Sequence, residues 1–403
     1  MEPHRIALLG AGGFSINAHL PAIAATPTLH LAAVYSRSLA SVHSLIEASK
    51  KHSSTSHKLD IFSEDPSTPD LDALLARKDI QTVVLALPIS SQPAVIERAL
   101  RAGKNVVSEK PVAPSINEAK RLIALYEKEF RPQGVQWIVA EQYAYTQAYE
   151  KARDLIRDGK IGEVRDFQAE VYIQPSAAAS KTGWRSVPDY QGGFILDGGV
   201  HFAAGLRHIL PHPLTSIFAH SSQIQPHLPP CDILTGILAA SPSTSSSSSR
   251  PISGTFTFSF GTEKPSSTRS YTFRGSRGVL TIDWAGTRVH TLKLTNFPPA
   301  LSPPTSPALA AQDRKFDHPP PEEEDPHELV IEFPGDQGVV DEFGAFGDAL
   351  QKGAGSDAAK NVEKRSGPRA ALRDLAFIEG GLLSSKEKKE VQLKDIVGEF
   401  WEI

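Results

Sequence analysis

Two short segments of this 403-residue chain carry residue types able to handle a proton and a reacting oxygen. Glu109-Lys110-Pro111 follows a buried apolar run, Asn105-Val106-Val107-Ser108. A lysine at the carboxyl end of a parallel strand faces the crevice where open α/β sheets bind ligands, and the proline stops the strand behind it. Far downstream comes Gly192-Gly193-Phe194-Ile195-Leu196-Asp197-Gly198-Gly199-Val200-His201. On a helix Asp197 and His201 share one face. Taken singly, Asp197 reads equally as a helix N-cap and His201 as a satisfied core histidine. Taken together, behind the turn described next, they read as functional.

That turn is Gly10-Ala11-Gly12-Gly13-Phe14-Ser15, which closes the apolar run Ile6-Ala7-Leu8-Leu9. Gly10 permits the tight turn, Gly12 lets the backbone approach a pyrophosphate, and a helix N-terminus offers N–H groups to the anion. Ser15 stands where the GxGxxG pattern has its third glycine. The second strand ends at Ser36-Arg37-Ser38 without the acidic residue that usually holds both ribose hydroxyls. A cation between two hydroxyls suits a 2′-phosphate, so NADP is the expected cofactor, with NAD open and a solvated loop arginine the alternative for Arg37. Leu87-Pro88 is expected along the cofactor too, or else simply ends its strand.

These residues need a scaffold. Residues 1–141 alternate strands (Arg5–Leu9, Leu29–Tyr35, Thr82–Leu87, Asn105–Ser108, Val135–Ala140) with helices, which predicts right-handed crossovers and an α/β Rossmann domain with a doubly wound parallel sheet. Residues 142–403 read as an α+β domain. Its strands are expected at Val164–Ile173, Thr215–Ser222, Ile252–Phe260, Arg269–Phe273, Gly278–Trp284, Val289–Leu294 and Glu328–Phe333. They predict an open, mainly antiparallel sheet, partly covered by late helices at Val339–Lys352 and Gly367–Ser385. The serine-rich stretch near 241–251 and the proline-rich, acidic stretch near 296–326 read as flexible insertions.

A formal net charge of -4 gives no basic field for nucleic acid. One cysteine, Cys231, excludes an internal disulfide and a thiolate zinc site. His208 and His212 have ligand-like spacing, but Pro211 and Pro213 break the helix, and no metal is assigned. Neither a signal peptide nor a membrane span is evident, which predicts a soluble cytoplasmic protein. Weaker pocket candidates are Tyr143, Trp184 and Arg185, each with a packing or ion-pair alternative.

Gly10–Ser15, Glu109–Pro111, Gly192–His201 and the Asp341-Glu342-Phe343…Ala349 segment, in this order, resemble the glucose–fructose oxidoreductase / inositol dehydrogenase / MocA family of NAD(P)-dependent dehydrogenases. Ala18-His19-Leu20-Pro21-Ala22 looks most like a fungal branch. The resemblance implies hydride transfer between nicotinamide C4 and a carbonyl or hydroxyl carbon of a sugar, polyol or small carbonyl compound. It implies that Lys110 polarises the oxygen, that His201 is the acid/base with Asp197 orienting it or sharing its proton, and that Glu109 lies near the nicotinamide ribose. A homodimer or homotetramer through the outer face of the second sheet is implied as well. The same residues would also serve a catalytically silent dinucleotide-binding regulator, or a member that uses NAD transiently for glycoside cleavage or elimination.

Overall fold

The computed structural model describes residues 2–52, 58–175, 183–242, 251–262, 268–284, 289–296, 327–335 and 337–401. Most of both predicted insertions lies outside the described residues. Two sheets organise the chain. The first contains β1 (His4–Leu9), β2 (Leu29–Ser36), β3 (Asp60–Ser63), β4 (Thr82–Leu85), β5 (Asn105–Glu109) and β6 (Trp137–Ala140), all parallel, in the order β3-β2-β1-β4-β5-β6. The chain winds outward from β1 toward β3 and then from β4 toward β6, so strand order reverses between β1 and β4. There the carboxyl ends of neighbouring strands open a crevice. Strands buried on both faces explain the near-continuous apolar runs, as in β4, where all four residues are buried. β3 escaped the sequence reading because it has four residues and begins with Asp60 at the sheet edge.

The second sheet holds β7 (Val164–Tyr172), β8 (Leu214–Ser222), β9 (Ile233–Ala240), β10 (Ile252–Ser259), β11 (Thr268–Gly275), β12 (Gly278–Asp283), β13 (Val289–Asn296), β14 (His327–Pro334) and β15 (Val391–Gln392). Its order is β14-β13-β12-β11-β7-β10-β9-β8-β15, antiparallel except for the parallel pair β7–β10. The sheet is therefore mixed and mostly antiparallel. β9 was not anticipated, since Gly236 interrupts its pattern. The glycine is required by close approach: a Cβ there would sit 2.2 Å from the Phe218 carbonyl oxygen on β8.

One expectation is corrected. The helix Gly338–Lys352 does not cover the second sheet. Its Phe343, Phe346, Ala349 and Leu350 are buried with Ile6, Leu8 and Val34 of the parallel sheet. The two phenylalanines are fully buried, each worth about 2–3 kcal/mol of apolar transfer. The chain thus returns to its first unit near its end. The following long helix, Pro368–Glu387, packs on β8, on the helix Phe194–Ile209 and on the helix Ile116–Leu125 of the first unit. It makes a single apolar core continuous between the two sheets.

Candidate active site

At the crevice, Gly10 has φ +108° and its N–H donates to the Tyr35 carbonyl at 2.8 Å. A Cβ on Gly10 would meet the Ala86 carbonyl oxygen at 2.2 Å and lie 3.4 Å from Leu87 Cδ2, so only glycine fits between β1 and the chain after β4. Gly12 differs, because a Cβ there would meet nothing within 4 Å, and at Gly13 only Asn17 at 3.8 Å. The protein itself leaves the space over Gly12 open, as a backbone that approaches a pyrophosphate requires. Gly12→Ala is accordingly expected to leave the thermal midpoint unchanged and to weaken dinucleotide binding about tenfold, measured by fluorescence titration. Unchanged binding would remove Gly12 from the cofactor site. Phe14 is exposed and sets its ring edge-on to His19 at 5.0 Å, whereas Ser15 is fully buried and its hydroxyl has no hydrogen-bond partner.

Ser38 caps the helix Leu39–Ser49, its Oγ accepting from Ser41 N at 3.4 Å. Ser36 is half-buried and Arg37 is exposed. Beside them Tyr35 donates its hydroxyl to Glu64 Oε1 at 2.5 Å, an acidic residue just past the β3 end that the sequence reading did not consider. Leu87 and Pro88 are half-buried over the crevice.

Lys110 emerges at the β5 end with its side chain 14% exposed. Its Nζ donates to the Asp197 carbonyl at 2.7 Å and to Asp197 Oδ1 at 2.9 Å. Arg185 Nε takes the other carboxylate oxygen at 2.6 Å and stacks its guanidinium 3.9 Å over the Trp184 ring. Burial alone would raise the Asp197 carboxyl, but Lys110 and Arg185 outweigh it and hold the group far below the ordinary carboxylate range. Asp197 is not the N-cap; Gly193 is, and the helix Phe194–Ile209 carries Asp197 in its first turn and His201 one turn on.

The expected Asp197–His201 partnership is corrected. Asp197 is engaged by the two cations, and His201 Nδ1 lies 2.8 and 2.9 Å from the two carboxylate oxygens of Glu141. Glu141 is 3% exposed. Burial pushes its carboxyl upward, yet His201 and then Lys110 leave it below its usual value. It is therefore ionised at neutral pH and can only accept, so His201 Nδ1 must donate and Nε2 is left for chemistry. Tyr143 stacks on the imidazole at 5.0 Å. Sequence reasoning missed Glu141, although its place directly after β6 parallels that of Lys110 directly after β5. Glu109, expected at the nicotinamide ribose, is joined by its Oε1 to His19 Nε2 at 2.8 Å. Ser90 and Asp189 meet at 2.5 Å, clasping the loop after β4 to the segment before the helix Phe194–Ile209.

The geometry brings Lys110, Asp197, Arg185, His201, Glu141 and Tyr143 to one wall of the crevice, and Gly10 to Phe14 to the other. Residues 4–136 match the family described as oxidoreductase family, NAD-binding Rossmann fold, and residues 149–281 match the GFO/IDH/MocA C-terminal domain. The chain belongs to the GFO/IDH/MocA oxidoreductase family. A dehydrogenase of Fusarium mangiferae, FPY6, is 33% identical over 94% of this chain and 96% of its own. A dTDP-3,4-didehydro-2,6-dideoxy-alpha-D-glucose 3-reductase of Streptomyces violaceoruber is 34% identical over 49% of this chain and 52% of its own. An oxidoreductase of Thermotoga maritima has the same fold, with a TM-score of 0.74 at 22% identity over 98% of this chain and 99% of that one. A 3-ketoreductase of Actinomadura kijaniata in complex with NADP has a TM-score of 0.67 at 21% identity, over 94% and 96% of the two chains. The protein is an NAD(P)-binding oxidoreductase of this family. Among the described residues no group of histidine, cysteine and acidic side chains is placed to hold a metal, and no helix is long and apolar enough to cross a membrane.

Proposed function

We propose that the protein is an NADP-dependent dehydrogenase or reductase acting at a carbonyl or hydroxyl carbon of a sugar, polyol or small carbonyl compound. The observation that carries this reading is the pair of separately anchored proton-bearing groups. Lys110 is fixed by Asp197, and His201 is fixed by Glu141 one helical turn away. The hydride itself is supplied by the nicotinamide when bound. Lys110 has three ammonium protons and spends two on Asp197, which leaves one to polarise the substrate oxygen. His201 delivers a proton to that oxygen from Nε2 in reduction and removes it in oxidation, while Glu141 keeps the tautomer fixed. Arg185, held against Asp197 and Trp184, borders the space for the substrate's remaining polar groups. A spectrophotometric screen of sugars, polyols and aldehydes with both cofactors tests the reading. Absence of NADP or NAD binding by calorimetry would refute it.

The cofactor preference rests on Arg37, a long cation exposed at the β2 end where an acidic residue would favour the free ribose. Arg37→Ala is expected to weaken NADP about tenfold while changing NAD little. Equal effects on both, with Glu64 then holding the ribose, would assign the site to NAD. For assembly, Phe218 and Ile237 are 48% and 55% exposed, and they oppose each other on β8 and β9. They lie on the face away from the helix Pro368–Glu387, and a homodimer through this face would cover them. Ile237→Glu is then expected to yield monomers by light scattering; an unchanged mass would place the interface elsewhere.

A further inference from the structure

A cavity of about 570 Å³ lies at the far end of the helix Phe194–Ile209 from the catalytic wall. Asp197 and Arg207 are ten residues apart, about 15 Å along the axis, so a molecule bound there is out of reach of the hydride chemistry. Its lining is basic: Arg153, Arg157, Arg207, Lys364, Arg365 and Arg373 face Asp374 as the acidic lining residue.

Part of that charge has local partners. Arg207 makes a two-pronged pair with Asp374 at 2.6 and 2.9 Å. Arg365 is held by Glu150 and by the Ala144 carbonyl at 2.6 Å. Arg153 and Arg157 share Asp154 at 3.5 and 3.2 Å, and Arg157 also reaches Asp158 at 3.7 Å. Arg373 donates to the Trp401 carbonyl at 3.0 Å. Three helices also end here with basic residues in their last turns, where each C-terminus offers about half a negative charge.

These partners do not exhaust the donors. Among the lining residues, Arg153 Nε and Arg365 Nε are buried without a hydrogen-bond partner. His208 Nε2 lies 3.1 Å from Arg153 Nη1. Burial, followed by Arg153, Arg365 and Arg207, pushes this histidine well below its ordinary range, so it is neutral and accepts from Arg153. A guanidinium has only donors, and buried donors left over around one cavity call for an acceptor with several oxygens. Leu210, Phe377 and Leu393 add an apolar side to the same wall.

We infer that this cavity binds a small phosphate monoester, its phosphate toward Arg153 and Arg365 and its organic body against Leu210, Phe377 and Leu393. Arginine forks match phosphate oxygens in pairs, and the volume lies in the range of small-ligand sites. The inference does not rest on the proposed reaction.

Calorimetric titration of the full chain with glycerol 3-phosphate, at fixed ionic strength and with NADP present, tests it. Saturable binding is expected, weakened about tenfold or more by Arg153→Gln and by the combined Arg157→Ala/Lys364→Ala, both with unchanged NADP binding. The two exposed cations at the mouth can be removed without disturbing the core, so the double variant stays informative if Arg153→Gln fails to fold. No saturable binding up to about 10 mM, equal affinity in the double variant, or competition by NADP would overturn the inference. NADP binding is measured separately, so failure of the dinucleotide reading is seen apart from failure of this one.

Discussion

Lys110→Met is expected to lower kcat by about 10²–10³-fold, the cost of removing one donor aimed at a developing oxyanion, while dinucleotide binding persists. Lys110 Nζ is fixed by two bonds to Asp197, so its remaining proton has one direction left and needs no reorganisation when negative charge builds on the substrate oxygen. The substitution also leaves Asp197, 4% exposed, with Arg185 alone. Breaking a buried pair destabilises by about 3–5 kcal/mol when the remaining charge has no partner; Asp197 keeps Arg185, so the loss here is smaller, but it is a structural effect that must be separated from the chemical one. Lys110→Met/Asp197→Asn removes the half-met carboxylate, at the expense of its bond to Arg185, and is expected to recover part of the lost stability with none of the activity. Recovery of activity in the double variant would show that Lys110 acts only through Asp197. The sign with pH follows from the depressed Asp197 carboxyl. Its stabilisation is present above the unfolded carboxylate range and is lost as pH falls through the folded value, so the single variant's deficit shrinks in acid.

Glu141→Gln costs about 10²-fold in kcat, with a smaller change in KM, because an amide can donate to Nδ1 as readily as it accepts and no longer dictates which ring nitrogen carries the proton. Glu141 grips Nδ1 with both oxygens and Tyr143 stacks on the ring, so the imidazole has one orientation and one free nitrogen. Residues that act as a unit are non-additive. His201→Ala is therefore expected to be as slow as Glu141→Gln/His201→Ala, measured by single-turnover hydride transfer at saturating cofactor. Additive losses would mean that Glu141 acts on the reaction independently of His201. Near-wild-type kcat in Glu141→Gln would make the carboxylate a packing element only.

The parts of this protein legible in the sequence share a physical property: they depend on local periodicity or on a backbone need. The parallel strands announce themselves because burial on both faces demands near-continuous apolar runs, as in Val83-Val84-Leu85. Gly10 announces itself because no side chain fits beside Ala86. Lys110, and Asp197 with His201, were found from their positions at a strand end and at helical spacing. Where the reading failed, the determinant was long-range. Ile233–Ala240 is a strand because Gly236 lets β8 approach, which nothing within its own eight residues states. The Gly338–Lys352 helix has an apolar stripe in either setting, and only the packed molecule shows it against Ile6 and Leu8 rather than against the second sheet.

By itself the sequence determined the two-sheet architecture, the dinucleotide turn and the identity of the lysine and the histidine at the crevice. Tertiary structure alone decided the wiring. Spacing put Asp197 and His201 on one helical face and suggested that they pair, whereas folding brought Lys110 and Arg185 onto Asp197 and Glu141 onto His201. The reason is electrostatic and non-local. A buried carboxylate takes the strongest donors within reach, and which donors come within reach is set by how strand ends separated by dozens of residues converge on one helix.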